Sequence, residues 1–218
     1  MNAVIIVAGG SGARMGGAVP KQYMDIGGKP MIIHTMERFL EFDPAIQLVL
    51  VRADGHRKIW ARIERDYLPG REISVVGGGD TRFSSVKIGL QQIDDETIVG
   101  IHDAVRPLVS RDTIERCYRS AIETGSGIPV VEMDESVRLV RSDRSEPVDR
   151  SVLKRVQTPQ VFRSGQIKEA YRLASDQSFT DDATVYESIF EKVSLVKGNP
   201  ENIKITRPAD LRLASLIL

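Results

Sequence analysis

The chain opens with the apolar run Ala3-Val4-Ile5-Ile6-Val7-Ala8, which leads directly into Gly9-Gly10-Ser11-Gly12. A short β-branched run that ends at glycines is typical of a buried strand followed by a loop. Glycines let backbone N–H groups converge on an anion, because no Cβ blocks the approach. Arg14 and Lys21 add two positive charges just beyond these glycines. The stretch therefore predicts a strand, a glycine turn and a polyphosphate site.

This glycine turn has three other possible interpretations. A Walker A loop needs a Lys after its last glycine, and none follows Gly16-Gly17. A dinucleotide fingerprint needs glycine where Met15 stands, and an acidic residue near Arg52, which follows the second predicted strand. A purely structural turn stays open, but it would not need two neighbouring cations.

Composition narrows the class of protein. The chain has 218 residues and no net charge at pH 7, so no global field would attract nucleic acid or an anionic membrane. Its length predicts one α/β domain spanning residues 1–218. The single Cys117 excludes an internal disulfide and predicts a buried packing residue. With no leader or membrane span evident, we expect a cytoplasmic protein.

Strand and helix patterns alternate along the chain. Strands are predicted at residues 3–8, 46–51, 72–76 and 97–101, and helices at 30–40, 56–67, 83–92 and 111–124. This order implies right-handed crossovers and a mostly parallel sheet. We expect a Rossmann-like three-layer αβα sandwich with a protruding β-arm.

A second glycine turn follows the third strand, in Gly77-Gly78-Gly79-Asp80-Thr81-Arg82-Phe83-Ser84-Ser85. Glycines at a helix N-terminus can face an anion or a nucleotide. Asp80 or Thr81 could also simply cap the helix, and the two interpretations are compatible.

The fourth strand ends in His102-Asp103-Ala104-Val105-Arg106-Pro107. An acidic residue just past a parallel strand points into the crevice where open α/β sheets bind ligands. We therefore predict that Asp103 is a Mg²⁺ ligand, since Mg²⁺ takes carboxylates together with substrate phosphates. The alternative is that Asp103 pairs with Arg106 to fix the loop. His102 is interpreted as a packed structural residue.

Residues 132–156 differ in composition from the rest of the chain. They are charged, and alternating residues flank the polar turn Ser142-Asp143-Arg144-Ser145-Glu146-Pro147. This pattern predicts a β-hairpin with little apolar content, which is marginal alone in water. We expect an arm that leans on another subunit, with a surface loop as the alternative.

Five separate motifs support a family resemblance over almost the whole chain: residues 9–16 with 20–23, 79–85, 102–107, 157–162 and 202–211. In them the chain resembles the nucleotidylyltransferases of the nucleotide-diphosphosugar transferase superfamily. It is most similar to the 2-C-methyl-D-erythritol 4-phosphate cytidylyltransferases. The resemblance implies that CTP and the polyol phosphate are joined to give 4-diphosphocytidyl-2-C-methyl-D-erythritol and pyrophosphate, in non-mevalonate isoprenoid biosynthesis. It also implies a homodimer that interlocks through the arm.

The resemblance implies a role for each matching residue. Catalytic residues are Arg14, Lys21 and Lys204, and the metal ligand is Asp103. Nucleotide-binding residues are Ala8, Gly9, Gly10, Gly12, Gly79, Asp80, Arg82, Ser85 and Ala104. Acceptor-binding residues are Arg106, Ser136, Arg150 and Thr158. The segment 180–183 needs only helix-capping chemistry and receives no catalytic role.

The sequence leaves the identity of the acceptor substrate open. Ser136 and Lys154 stand where many members of the family have Thr and Trp. A D-ribitol 5-phosphate cytidylyltransferase is therefore one alternative, and a sugar-1-phosphate nucleotidylyltransferase is a more distant one. A non-catalytic nucleotide-binding module is an alternative of another class, and the combination of Arg14, Lys21, Asp103 and Lys204 argues against it. Met15 disfavours a hydride-transfer enzyme.

Overall fold

Parallel strands that each end at one edge of a sheet organise the molecule. The computed structural model describes residues 1–10, 19–174 and 179–218. The predictions for Gly12 and Arg14 lie outside the described residues.

The described residues form twelve strands and seven α-helices. The strands are β1 (Asn2–Ala8), β2 (Asp25–Ile26), β3 (Lys29–Pro30), β4 (Gln47–Arg52), β5 (Ser74–Gly77), β6 (Ile98–Asp103), β7 (Ser126–Glu132), β8 (Val137–Val140), β9 (Ser145–Val148), β10 (Lys154–Val156), β11 (Gln160–Arg163) and β12 (Leu195–Lys197). The helices are α1 (Met31–Phe42), α2 (Arg57–Tyr67), α3 (Arg82–Leu90), α4 (Arg111–Thr124), α5 (Ser164–Leu173), α6 (Asp182–Phe190) and α7 (Pro208–Ile217).

Eight of the strands found in the described ranges form the central sheet. Its order is β10-β7-β11-β6-β1-β4-β5, and β12 pairs with β7 off this path. Strands β6, β1, β4 and β5 are parallel, whereas β11 runs antiparallel to both β6 and β7. The predicted mostly parallel α/β sheet is confirmed. The antiparallel β11 was not predicted, because four residues between a turn and a helix carry too little pattern.

The residues of β1 alternate between two separate apolar cores. Val4, Ile6 and Ala8 pack in one core with α1, α2 and α4, whereas Ala3 and Ile5 pack in the other with α3, α5 and α6. Successive side chains of a strand point to opposite faces, so a strand that is apolar throughout must be covered on both sides. The three-layer αβα arrangement follows from this, and the predicted fold class is confirmed.

The structure tests several local predictions, on Cys117, on the cap of α3 and on membrane-spanning helices. Cys117 is buried, as expected. Thr81, rather than Asp80, caps α3, because its side chain accepts a hydrogen bond from the backbone N–H of Ser84. The helix therefore begins at Arg82, one residue earlier than predicted. Among the described helices, none combines the length and the apolar character that a bilayer crossing requires.

The segment 132–156 leaves the sheet and returns to it. Strands β8 and β9 form a separate antiparallel pair, with Val137 opposite Val148. The predicted hairpin is confirmed, and its side chains are largely exposed, including Leu139 and Val140. At its base, Lys154 of β10 pairs with Glu132 of β7, so both ends of the arm are joined by backbone hydrogen bonds.

Candidate active site

A cleft lies at the carboxyl edge of the parallel strands. The register aligns Val7 with Asp103, and Ala8 with Arg52, which in turn pairs with Gly77. The turns after β1, β5 and β6 therefore meet at one edge, where open α/β sheets bind ligands. The cleft has a volume of about 410 Å³. Its lining contains the predicted residues Ala8, Gly9, Gly10, Lys21, Gly79, Asp80, Arg82, Ser85, Asp103, Ala104 and Lys204.

Gln22 holds the first glycine turn in place. Its side chain is buried, and Nε2 donates hydrogen bonds to the carbonyls of Ala8 at 2.7 Å and Gly10 at 3.3 Å. These bonds satisfy carbonyls at the end of β1 and join the turn to the short helix Lys21–Tyr23. Gln22 received no role from the sequence, where a Gln beside Lys21 looks like an ordinary polar residue.

The second glycine turn is closed by Ser85. The hydroxyl of Ser85 accepts from the backbone N–H of Gly79 at 3.1 Å and lies 3.3 Å from the Gly79 carbonyl. A Cβ at Gly78 would lie 2.9 Å from this hydroxyl, so the turn needs glycine to pack so tightly against α3. Gly78 also donates to the Arg52 carbonyl at 2.7 Å. Ser85 thus shapes the cleft as well as lining it.

Asp103 is the centre of the charged part of the cleft. Its Oδ2 lies 3.2 Å from Nε of Arg106 and 3.1 Å from Nζ of Lys204. The pair with Arg106 is the loop-fixing contact that the sequence left as an alternative. The structure contains this pair, and it also places Asp103 in the cleft with Lys21 and Lys204.

Asp103 is held ionised by its neighbours. Burial alone would raise its pKa, but Lys204 and Arg106 hold the pKa of this carboxyl well below its usual range. The cleft therefore contains a permanent negative charge that is surrounded by cations at neutral pH. Such a carboxylate can contact a metal ion or orient the lysine.

His102, which precedes Asp103 in β6, is completely buried. Its ring lies edge-on to Phe39, with 4.9 Å between the ring centroids, and burial lowers the pKa of His102 to about 4. Nε2 lies 3.2 Å from the Arg106 carbonyl, which can only accept, so Nδ1 accepts from the Thr158 hydroxyl at 3.1 Å. That hydroxyl accepts from the Asp103 N–H at 3.2 Å. His102 is structural, as predicted, and it orients Thr158.

Arg82 joins the cleft to α6 through a partly buried ion pair. Its Nη1 and Nη2 donate to the two carboxylate oxygens of Asp182 at 2.8 and 2.5 Å. Asp182 is completely buried and also accepts from the Tyr171 hydroxyl at 2.6 Å. Burial alone would lower the pKa of Arg82, but Asp182 raises it above its usual range. The predicted capping is confirmed at Asp181, which accepts from the Thr184 N–H, whereas Asp182 lies in the first turn of α6 and forms the ion pair.

A second cavity of about 170 Å³ adjoins the first. Arg82, Asp103 and Lys204 line both cavities, so they form the wall between them. The predicted acceptor residues Arg106 and Thr158 line this second cavity.

The other two predicted acceptor residues are elsewhere in this chain. Ser136 and Arg150 lie on the arm, outside the lining of either cavity. The Arg150 guanidinium donates instead to the Asp134 carbonyl of the same arm. The two adjoining cavities thus bring together all the predicted site residues that the structure describes, except these two.

A family model and known proteins that match this chain in sequence share one name. The family model described as IspD: 2-C-methyl-D-erythritol 4-phosphate cytidylyltransferase matches residues 2–218. A protein of that name from Phocaeicola vulgatus is 45% identical over 215 residues, which are 99% of this chain and 98% of the relative. One from Porphyromonas gingivalis is 46% identical over 215 residues, which are 98% of this chain and 96% of the relative.

Solved structures share the fold as well. The chain is similar to 2-C-methyl-D-erythritol 4-phosphate cytidylyltransferase (IspD) of Francisella tularensis, with TM-score 0.82, 30% identity and full coverage of both chains. It is also similar to 4-diphosphocytidyl-2C-methyl-D-erythritol synthase of Anaerococcus prevotii, with TM-score 0.85, 26% identity, and coverage of 100% and 95%. Because sequence and fold agree over nearly its full length, the chain belongs to the 2-C-methyl-D-erythritol 4-phosphate cytidylyltransferase family.

Proposed function

We propose that the chain transfers the cytidylyl group of CTP to 2-C-methyl-D-erythritol 4-phosphate, releasing pyrophosphate. The observation that carries this function is the meeting of Lys21, Asp103 and Lys204 in one cleft between two glycine turns. The reaction is a step of isoprenoid precursor biosynthesis. The family membership favours this acceptor over ribitol phosphate and an enzyme over a binding module.

The reaction needs positioning and charge rather than a general base. A phosphate oxygen of the acceptor is already ionised at neutral pH, and it attacks the α-phosphorus of CTP as pyrophosphate leaves. Two anions must approach each other while negative charge builds on the phosphoryl oxygens. Preorganised cations that face this charge lower the barrier.

The two cavities suit the two substrates. The larger cleft, with both glycine turns and Lys21, would bind the nucleotide, and the smaller one, with Arg106 and Thr158, would bind the polyol phosphate. Lys204 lies in the wall between them, where the phosphates would meet. In this proposal Lys21 and Lys204 act as catalytic cations, together with Arg14.

The residues of the cleft fit Mg²⁺ as a cofactor. Among the described residues, no group of three or more potential metal ligands converges, so a cage built from protein alone is not expected there. Mg²⁺ commonly takes one or two carboxylates and completes its shell with water and substrate phosphates. Asp103 would supply that carboxylate, and Mg²⁺ bound there would add positive charge beside the phosphates.

The arm is the part of the molecule that favours a homodimer. Its exposed side chains include Leu139, Val140 and Val152, and the pair of short strands has few apolar contacts within its own subunit. A two-stranded hairpin of this kind is marginally stable alone. We propose that it packs on a second copy and brings Arg150 to that copy's acceptor cavity.

The cytoplasmic location likewise remains a prediction.

Substrate choice tests the function directly. Pyrophosphate release should be fastest with CTP and 2-C-methyl-D-erythritol 4-phosphate when four nucleotides are crossed with this acceptor and ribitol 5-phosphate. A higher kcat/KM with ribitol 5-phosphate would overturn the proposed acceptor. Absence of release with every pair would overturn the proposed enzyme.

Asp103→Asn should lower kcat by roughly 10²-fold or more, because an amide binds Mg²⁺ poorly and no longer holds two cations. Circular dichroism should show the fold retained, and calorimetry should show weaker Mg²⁺-dependent binding of CTP. Asp66→Asn, a surface carboxylate on α2 that pairs with Arg65 at 2.8 Å, is the matched control. Normal turnover and normal Mg²⁺ dependence in Asp103→Asn would exclude the metal role.

Lys21→Ala should lower kcat by roughly 10²–10³-fold with a much smaller rise in KM for CTP, because a preorganised charge acts mainly on the transition state. Lys29→Ala is the control, since Lys29 forms a surface pair with Glu37 at 2.7 Å and lies outside the cleft lining. Steady-state kinetics of both variants provide the measurement. If KM rises while kcat is unchanged, Lys21 serves ground-state binding only.

Arg150→Ala should raise KM for the polyol phosphate and leave CTP binding nearly unchanged, because a guanidinium can grip a phosphate with two parallel hydrogen bonds. Arg144→Ala, at the exposed turn of the same arm, should have little effect.

Mixing Arg150→Ala and Lys21→Ala dimers tests whether the arm acts in trans, provided that the polyol phosphate is kept well below the raised KM of Arg150→Ala, so that both parent dimers are nearly inactive. After subunit exchange, each mixed dimer has one site with both defects and one with neither, so part of the activity should return. Continued inactivity, with exchange verified by mass spectrometry, would show that Arg150 does not serve the neighbouring subunit.

A further inference from the structure

Asn202 lies buried where several parts of the active site come together. It is in the segment between β12 and α7, two residues before Lys204. Its solvent exposure is 0%. Its side chain is polar although it has no access to water, and polar groups are buried at a cost unless they form hydrogen bonds.

The side chain of Asn202 holds the turn that carries Thr158. Its Nδ2 donates to the Thr158 carbonyl at 2.8 Å and lies 3.5 Å from Oε1 of Gln157. Thr158 in turn lies in the second cavity and accepts a hydrogen bond from the Asp103 N–H at 3.2 Å. Asn202 therefore contacts Thr158 directly, and through Thr158 it is linked to Asp103.

The backbone of Asn202 holds Arg106. Its carbonyl accepts from Nη1 of Arg106 at 2.8 Å and from Nε2 of Gln157 at 3.3 Å. The same guanidinium uses its Nε to contact Oδ2 of Asp103. A displacement of the Asn202 peptide would therefore displace the guanidinium that faces the acceptor cavity.

Lys204 is held between two anchored positions. Asn202 is anchored on one side, and on the other the Ile205 N–H donates to the Val105 carbonyl at 2.9 Å. Ile205 is itself fully buried. The Lys204 side chain is 44% exposed, so its position depends on its backbone and on the contact with Asp103.

One atom of Asn202 distinguishes it from a packing residue. Within the part of the chain that the structure describes, its buried Oδ1 has no hydrogen-bond partner. An unpaired buried acceptor lowers the stability of the fold, so an apolar side chain would pack at this position at a lower cost in free energy. The compensating contribution of the side chain is its bond to the Thr158 turn.

We infer that Asn202 is a positioning residue for cytidylyl transfer: its amide fixes the Thr158 turn, and its peptide fixes Arg106 and Lys204, around one carboxylate. The inference rests on the proposed function. The two cations and the threonine come from three separate segments of the chain, and Asn202 contacts or adjoins all of them. Removing its amide should loosen their mutual geometry without removing any charge.

Asn202→Ala should lower kcat by about 10- to 100-fold, since small misplacements of positioned groups have effects of this size. KM for CTP should change little, because the hydrogen bonds of Asn202 to the described residues join it to Arg106, Gln157, Thr158 and Asn199 rather than to either glycine turn. Asn202→Asp is a second variant of nearly the same volume, and its carboxylate cannot donate to the Thr158 carbonyl. It should also lose activity if the amide donor is what matters.

Asn199→Ala is the matched control in the same segment. The Asn199 side chain donates to the Leu108 carbonyl at 3.0 Å and accepts from the Ser110 N–H at 3.1 Å, at the start of α4. Asn199→Ala should lower the midpoint temperature of thermal unfolding while leaving kcat of the folded protein near the wild-type value. Equal losses of kcat in Asn199→Ala and Asn202→Ala would show a general structural effect and overturn the inference.

A double variant separates positioning from independent effects. If Asn202 acts through Lys204, adding Asn202→Ala to Lys204→Ala should lower kcat much less than it does in the wild type. Fully multiplicative losses, or normal kcat in Asn202→Ala and Asn202→Asp, would overturn the inference. An active wild type with unimpaired variants would reject this inference alone, whereas an inactive wild type would reject the proposed function.

Discussion

A buried carboxylate at the end of a strand constrains the rest of the site. Asp103 ends β6 in the centre of the sheet, where its charge is largely removed from water. A buried charge is tolerated only when it is paired, and here the partners are Arg106 and Lys204. Lys204 is far away in sequence, so the carboxylate brings the C-terminal segment back to the edge of the sheet. With two cations around one carboxylate, the resulting cluster has a net positive charge, which favours the binding of phosphate groups.

Much of this organisation could be predicted from the sequence because it is local. The apolar pattern of β1, the glycines after it and the acid after β6 each lie in a short window. Parallel topology then places such strand ends at one edge, whatever the details of the packing. For this reason the α/β fold and the convergence of Ala8, Gly79 and Asp103 could be predicted from the sequence alone.

The remaining features depend on contacts between distant segments. Arg82 and Asp182 are 100 residues apart, and nothing near Asp182 distinguishes it from the capping residue Asp181. Gln22 is buried where it donates to the Ala8 and Gly10 carbonyls, more than ten residues earlier in the chain. In the same way, β11 is identified as a strand by its pairing with β6 and β7, because its own residues show too little pattern. Sequence windows contain propensity and periodicity, but these pairings exist only in the assembled structure.

The base of the arm has a consequence for how this fold can vary. The chain leaves the sheet at Glu132 and re-enters it directly opposite, at Lys154, and β11 then runs between β6 and β7. The two ends of the intervening segment therefore remain adjacent whatever lies between them. Lengthening a loop whose ends are fixed costs free energy only as the logarithm of its length, about 0.6 kcal/mol for each doubling. Evolution can thus rebuild the arm, residue by residue or by insertion, while Thr158 keeps its position beside Asp103.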